Sequence, residues 1–459
     1  MKSQKISKGS ALLLSIIILA TLSAWAVFIC SVSGTNLQIA ENQRKGDGAR
    51  ASAESGLEIT RYWLNRISLD GMTNPSAVFA QFAAMLQADL TANNVTNIAP
   101  VYSGSTISIP SVTVDFSEGR SFSAEIDQIS ADVVRLEVTG QYGSLTRKIG
   151  VNYNVGESAH NVFDYGVATK GPLSLAGNIE LDGVNISVES DVYIESENSL
   201  LALSIIGNSQ IGGDVSIGNP LASVDLQGGQ AGIGGDTGQD AIDNHVSFGV
   251  PPTEFPTPNP SHFEPYVTGV VDSSTDTSSD ATFENVRIAA GTNPVFSGDV
   301  TLNGVVYIET PNVVTFAGGA TVTGIIVGDG DMEDNTATNQ IVFLGNVDSY
   351  PVSDLPEEEQ FSGIRNEEGT FLMAPGFHVA FGGSFSTLNG AIAGNGIEFF
   401  GNAGGTIEGS VLNYSDVDMT LSGNSDLLFN RSGITEIPAG FVPEIIMEYD
   451  PSSYSELMI

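Results

Sequence analysis

Hydrophobic and polar positions alternate in three different ways along this chain, and each predicts a different kind of element. The first is an unbroken apolar run, Ala11 to Cys30, "ALLLSIIILATLSAWAVFIC", with no charged residue. At about 1.5 Å per residue it makes a helix of roughly 30 Å, enough to cross a bilayer core. It is longer than the roughly 7–15 apolar residues of a secretory signal, and no small-residue cleavage site follows it directly. Lys2, Lys5 and Lys8 precede it without an acid. By the positive-inside rule this tail stays cytoplasmic and everything after Cys30 faces outward.

The pattern then becomes amphipathic. In "ENQRKGDGARASAESGLEITRYWLNRI", Leu57, Thr60, Leu64 and Ile67 recur at helical spacing, with Tyr62 and Trp63 beside them. Basic residues (Arg44, Lys45, Arg50, Arg61, Arg66) alternate with Glu41, Asp47, Glu54 and Glu58, as on a solvated face. Gly46 and Gly48 weaken the helix locally and predict a bend. One long helix is expected, apolar all round in its first half and one-sided in its second.

From about 100 to 155 the period falls to two. "SVTVDF", "SFSAEIDQI", "VVRLEVTGQYG" and "SLTRKIGVNYNV" predict four short strands, with a hairpin turning near Gly140 and Gly143. A helix followed by such strands gives an α+β module: a long N-terminal helix plus a small antiparallel sheet.

After residue 160 a phrase recurs: an apolar residue, a spacer, Gly, then a small or polar residue. It occurs as LAGN at Leu175, IIGN at Ile205, FSGD at Phe296 and FAGG at Phe316. It returns as FLGN at Phe343, FGGS at Phe381, FFGN at Phe399 and LSGN at Leu421. The shorter steps are 18, 20 and 22 residues. Short apolar runs punctuated by Gly-Asn at this period predict the coils of an all-β right-handed parallel β-helix. Each coil cannot bury its inward side chains alone, whereas stacked coils share a core and can ladder their Asn amides. A β-sandwich or jelly roll is the competing arrangement. The segment 250–266 is rich in proline, which excludes a central strand and predicts an extended surface insertion. The final stretch from Gly433 is expected to cap the last coil. The domain division is then 1–33 (tail and apolar helix), 34–156 (amphipathic helix and sheet) and 157–459 (solenoid).

Charge sharpens this division. Of 459 residues, 16 are Lys or Arg and 54 are Asp or Glu, a net charge of −38. Residues 1–148 hold 12 of each sign, so the whole excess lies beyond them, where the basic residues are Lys170, Arg287, Arg365 and Arg431. Such a surface repels nucleic acid, which excludes a DNA- or RNA-binding role. The single cysteine, Cys30, permits no intrachain disulfide.

Candidate chemistry is sparse. The chain has no Asp-Asp pair of the kind β-helical hydrolases present, and its four histidines (His160, His245, His262, His378) are scattered. No enzyme is expected and no cofactor is required. "GDGDMEDN" offers oxygen ligands from Asp329, Asp331 and Glu333 for a weak calcium loop, but lacks the Gly and Glu an EF-hand needs at its sixth and twelfth positions.

Three features in order, "KGSALLL" with its apolar run, "ENQR", and "ASAESGLEITRYWL", resemble the N-terminal domain of PilX-type minor pilins. The K pseudopilins of type II secretion have a similar A-E-x-G-L stretch. The resemblance covers roughly residues 6–66. It implies a pilin-like fold for the first module and prepilin-peptidase cleavage between Gly9 and Ser10. It further implies helix packing through Glu54, Gly56 and Leu57, and assembly with other pilins or pseudopilins on the inner-membrane platform. The chain departs from the major-pilin pattern in placing Ser10, not Phe, first after the cut and Leu14, not Glu, fifth. The expected function is a minor pilin or pseudopilin-like component of a type IV pilus or type II secretion-like filament, carrying an acidic β-helix outside the cell. The alternative is a permanently anchored surface adhesin whose β-helix binds glycan.

Overall fold

The computed structural model describes residues 8–71, 77–431 and 437–457. They form two units, one of residues 1–157 with 445–459 and one of residues 158–444.

In the first unit, helix α1 (Lys8–Leu64) is continuous through Gly46 and Gly48. Its buried positions include Gly46, Ala49, Ala53, Gly56, Leu57, Thr60 and Leu64, the three-four spacing of one helix face, with Ser52 and Trp63 beside them and Ile67 just past its end. That face lies on an antiparallel run of strands: β1 (Leu69–Asp70), β2 (Val101–Ser103), β3 (Thr106–Asp115), β4 (Arg120–Gln128), β5 (Val133–Tyr142) and β6 (Leu145–Ser158). Helix α2 (Val78–Ala92) closes the same core with Phe79, Phe82, Leu86 and Leu90. Strands β2 to β6 pair each with the next, so every register is set by a short local turn. Gly143, with φ of 60°, makes the β5–β6 turn. Gly140 is not part of that turn: it lies within β5, where an added Cβ would run into the Ala49 carbonyl and the Ala53 amide of α1.

The chain end corrects the sequence-based division. The strand Glu444–Leu457 caps no coil but sits between β1 and β6 in this first sheet. Met447 is buried in the first unit's core and Tyr449 packs edge-on against Tyr153 with ring centroids 5.6 Å apart. The second unit is therefore an insertion in the first, and its span is 158–444 rather than 157–459.

The second unit consists of two large sheets whose pairings among the described residues are parallel, except that Gly232–Ile233 pairs antiparallel with Asp236–Thr237. The eight recurring phrases fall in one register column. Phe296, Phe316, Phe343, Phe381 and Phe399 pair in that order. The column continues through Leu421 and Leu175 to Ile205. The five phenylalanines stack with centroids 4.9–5.1 Å apart and planes within 11°. Parallel pairing in register brings equivalent rings to the strand spacing, and offset stacking adds to the area each ring buries.

Spatial order in this column is not chain order. The chain starts in the middle with Val167–Thr169 and Leu173–Gly183, and coils to one edge at Val246–Phe248. It resumes at the opposite edge with Gly269–Val271 and coils back until Met419–Phe429 pairs with Leu173–Gly183 over their full length. Asn178 spans this closure: it donates to Asn424 (2.9 Å) and accepts from Asn208 (2.8 Å).

The proline-rich segment makes the return crossing. It is not a free surface loop, because the sheet it crosses turns an apolar column outward: Tyr193, Ala168, Leu412, Ala393, Met373, Val327 and Tyr307. Phe255 and Phe263 cover that column. Thr253 N–H donates to the Tyr193 hydroxyl, Tyr414 Oη to the Pro256 carbonyl, and Asn259 N–H to the Gly440 carbonyl. The segment's prolines leave few amides to satisfy, which suits a chain lying on an apolar surface.

Candidate functional site

The first candidate is the leading half of α1. Leu12, Ile16, Leu19, Trp25 and Phe28 are all exposed, Trp25 at 70%. The uncharged stretch runs on beyond Cys30 to Ala40, and the most apolar window, of mean hydropathy 2.6, is wholly exposed. Leaving a dozen such side chains in water forgoes on the order of 20 kcal/mol of burial. This helix is a candidate membrane span by length and composition. Gly9 and Ser10 lie in its first turn, and their side chains are outside the described residues.

The A-E-S-G-L stretch divides in two. Gly56 faces the sheet, where an added Cβ would lie 2.5 Å from the Phe122 ring, and Leu57 is buried. Glu54 points away, in an exposed pair with Arg50 at 3.0 Å. The close approach of α1 needs Gly56 on the helix and Gly140 on β5. The second was hidden in the sequence by its nearness to the turn.

The acidic loop at 328–335 uses its oxygens on backbone amides, its own and that of Thr310. Asp329 Oδ1 accepts the Thr310 N–H at 2.6 Å, Asp331 Oδ1 accepts that of Glu333, and Asp334 Oδ2 that of Asp331. Burial pushes the Asp329 carboxyl above its usual range. Among the described residues, no three or more His, Cys, Asp or Glu side chains stand where they could hold a metal ion.

A groove of about 780 Å³ opens on the second unit, with no counterpart in the sequence reading. Its floor includes Gly369, Gly390 and Gly409, at the corner before three neighbouring strands. Their φ values are 85°, 123° and 157°. A Cβ on Gly390 or Gly409 would lie 2.6 Å from the backbone of the coil beneath, so the floor is bare peptide.

Its acids differ in their freedom. Glu367 is held by His262 (2.8 Å) and the Tyr266 hydroxyl (2.6 Å); burial, and then this carboxylate, push that phenol up to about 12. The side-chain carboxylates of Glu368, Glu408 and Asp164 make no hydrogen bond or ion pair among the described residues. Arg431 donates to the carbonyls of Phe163 (2.8 Å), Glu189 (3.1 Å) and Val188 (3.4 Å), and burial lowers its pKa against the pull of nearby Asp164. His160, 5% exposed, has Nε2 3.1 Å from the Val442 carbonyl. Its Nδ1 lies 2.9 Å from Glu444 Oε1 but out of line for a hydrogen bond. The other scattered histidines serve structure: His245 lies between Asp214 and Asp236, and burial lowers the pKa of His378.

No protein-family model matches the chain, and no curated protein matches it. Among solved structures, the crystal structure of competence-associated pilin ComZ from Thermus thermophilus aligns with a TM-score of 0.22 and 10% identity, covering 90% of this chain and 97% of that one. A likeness at that score carries neither fold nor function.

Proposed function

We propose that the chain is a PilX-like minor pilin or pseudopilin-like structural component of a type IV pilus or type II secretion-like filament. The observation that carries this reading is α1: one uninterrupted helix, apolar and exposed over its first half, docked through Gly56 and Leu57 onto an antiparallel sheet in its second. A bilayer holds the apolar half before assembly, and neighbouring helices cover it afterwards. Its partners are other pilins or pseudopilins and the inner-membrane assembly platform. The lysines at the N-terminus keep that end in the cytoplasm, and the two units lie outside the membrane.

Residues 158–444 form a right-handed parallel β-helix in this reading, supported by the parallel register and by the strong preference of parallel crossovers for that hand. The unit is displayed, and the protein catalyses no reaction and needs no cofactor. The test is Gly9→Val, which removes the residue at which the peptidase would cut. Uncut protein retained in the membrane and missing from sheared filaments is the expected outcome. Normal incorporation of this variant into filaments would sink the reading.

A further inference from the structure

In a chain of net charge −38, cations should find carboxylates, and in the first unit most do. Lys45 pairs with Glu41 (2.7 Å), Arg50 with Glu456 (2.9 Å) and Arg66 with Asp89 (3.0 Å). Among the described side chains of that unit, Arg44 and Arg147 have no carboxylate partner. Both are exposed, and both lie at one level of α1. Arg44 Nη2 donates to the Tyr142 hydroxyl (3.0 Å), and Arg147 Nη2 would lie 3.6 Å from a Cβ added to Gly46. Of the acids at this end, Glu118 pairs with Arg120 and Asp115 accepts from Ser117, which leaves Asp47 as the unpaired carboxylate.

The apolar half of α1 fixes where that level stands. The 32 uncharged residues between Lys8 and Glu41 make about 48 Å of helix, against about 40–45 Å for a bilayer with its headgroups. Arg44 and Arg147 therefore stand where the outer headgroups end. The sheet turns the same end toward the bilayer. Gly56 lies over Phe122 and Val138 and Gly48 over Tyr142, so the β3–β4 and β5–β6 turns point toward the apolar half of the helix. Phe116, on the first of these turns, is 89% exposed, more than any other large apolar side chain among the described residues. An apolar ring held out at the same end as unpaired guanidiniums matches an anionic membrane interface, where rings enter the acyl boundary and guanidiniums meet phosphates.

We propose that this end of the first unit docks on the bilayer that α1 spans, with Arg44 and Arg147 binding the phosphates of anionic phospholipids and Phe116 entering the interface. The planar fork of a guanidinium suits a phosphate. The inference rests on α1 spanning a membrane, as proposed above.

The full chain with Cys30→Ser and Ser144→Cys, carrying a fluorophore on the β5–β6 turn, tests this in vesicles doped with a nitroxide-headgroup lipid as quencher. One set of vesicles is phosphatidylcholine alone and the other contains phosphatidylglycerol. Flotation with the vesicles checks the spanning helix first; protein that does not float overturns both readings, whereas floated protein without quenching overturns the docking alone. Quenching should be stronger with phosphatidylglycerol and should fall as salt rises. Arg44→Gln with Arg147→Gln should lower the ratio of docked to undocked protein there by about tenfold or more, at about fivefold per arginine. Arg44→Lys with Arg147→Lys keeps the charge and should retain most of the quenching. The control pair Arg61→Gln with Arg66→Gln makes the same change in net charge at the far end of α1 and should leave it unchanged. Phe116→Ser should lower quenching in both lipid compositions. Equal quenching with and without phosphatidylglycerol, or equal loss in both glutamine pairs, would overturn the proposal. So would quenching that follows the protein-to-lipid ratio instead of phosphatidylglycerol, which would mean that carboxylates of a second copy cover the two arginines.

Discussion

The two units solve the same problem, burying the faces of a sheet, by opposite routes. In the first, β2 to β6 pair as neighbours in sequence, and α1 packs on them through close glycine contacts at Gly56 and Gly140, with α2 closing the same core. In the second, strands pair in parallel with strands distant in sequence, apart from one short hairpin, and the core is a column of equivalent side chains from Phe296 to Ile205. Local pairing makes the first unit depend on its turns and on its docked helices. Columnar pairing spreads the second unit's stability over many similar contacts and concentrates its weakness where the column passes from one chain segment to the other, between Leu421 and Leu175. The C-terminal strand belongs to the first route although it follows the second in sequence.

That assignment gives the sharpest way to break the comparison. Ending the chain after Glu444 removes the strand between β1 and β6, with buried Met447 and the Tyr449–Tyr153 contact. The first unit should lose more than about 5 kcal/mol, enough to unfold it, while the second keeps its melting transition. Limited proteolysis of the purified protein checks this: the 158–444 region should survive and the 1–157 region should be cut. Equal protection of both would return the tail to the second unit.

Next in size is Phe343→Ala, at the centre of the five-ring stack and fully buried. It should cost about 3–5 kcal/mol in urea denaturation, confined to the second unit's transition. Asn178→Ala should cost about 1 kcal/mol, because it severs two side-chain hydrogen bonds at the closure between first and last coils, in an exposed ladder. Hydrogen exchange should rise at Leu173–Gly183 and Met419–Phe429 before it rises elsewhere.

The smallest effects differ in sign between the units. Lys148 and then Arg135 hold the Glu137 carboxyl below 4.5 in the first sheet. Its stabilisation is present above that value and is lost as pH falls through the depressed folded pKa. Burial raises Asp191 above 3.8 in the second unit, so the native state binds its proton more readily than the unfolded chain. Its cost is absent below 3.8, grows as pH rises through the raised value, and stands in full at pH 7. Glu137→Gln should therefore lower stability at pH 7, whereas Asp191→Asn should raise it; near pH 3 the gain from Asp191→Asn should vanish and the loss from Glu137→Gln should be smaller than at pH 7. Thermal melts at the two pH values read both.

Much of this was legible in sequence because it repeats locally. Leu57, Thr60, Leu64 and Ile67 gave the buried stripe of α1, and the eight glycine phrases identified one register column before any strand was placed. What stayed hidden is non-local. Nothing in "LAGN" at Leu175 says that it meets "LSGN" at Leu421, because the two are equivalent to every other pair of coils. The apolar column beneath the proline-rich crossing is invisible for a similar reason: residues such as Ala168 and Met373 look like ordinary inward positions until both faces of the sheet are known to be covered. Gly140 was misplaced because proximity to Gly143 suggested a turn, whereas its role is to admit a helix. Glu54 was grouped with Gly56 and Leu57 by motif, although at helical spacing it must face another direction. The groove has no local signature, since Asp164, Glu368 and Glu408 come from three distant stretches.

The central claim concerns the beginning of the chain. N-terminal sequencing of the native protein, from sheared and from membrane fractions, tests it most directly. The account predicts a start at Ser10 in the sheared fraction. An intact Met1, found only in membranes, would contradict it and leave Ala11–Cys30 as a permanent anchor.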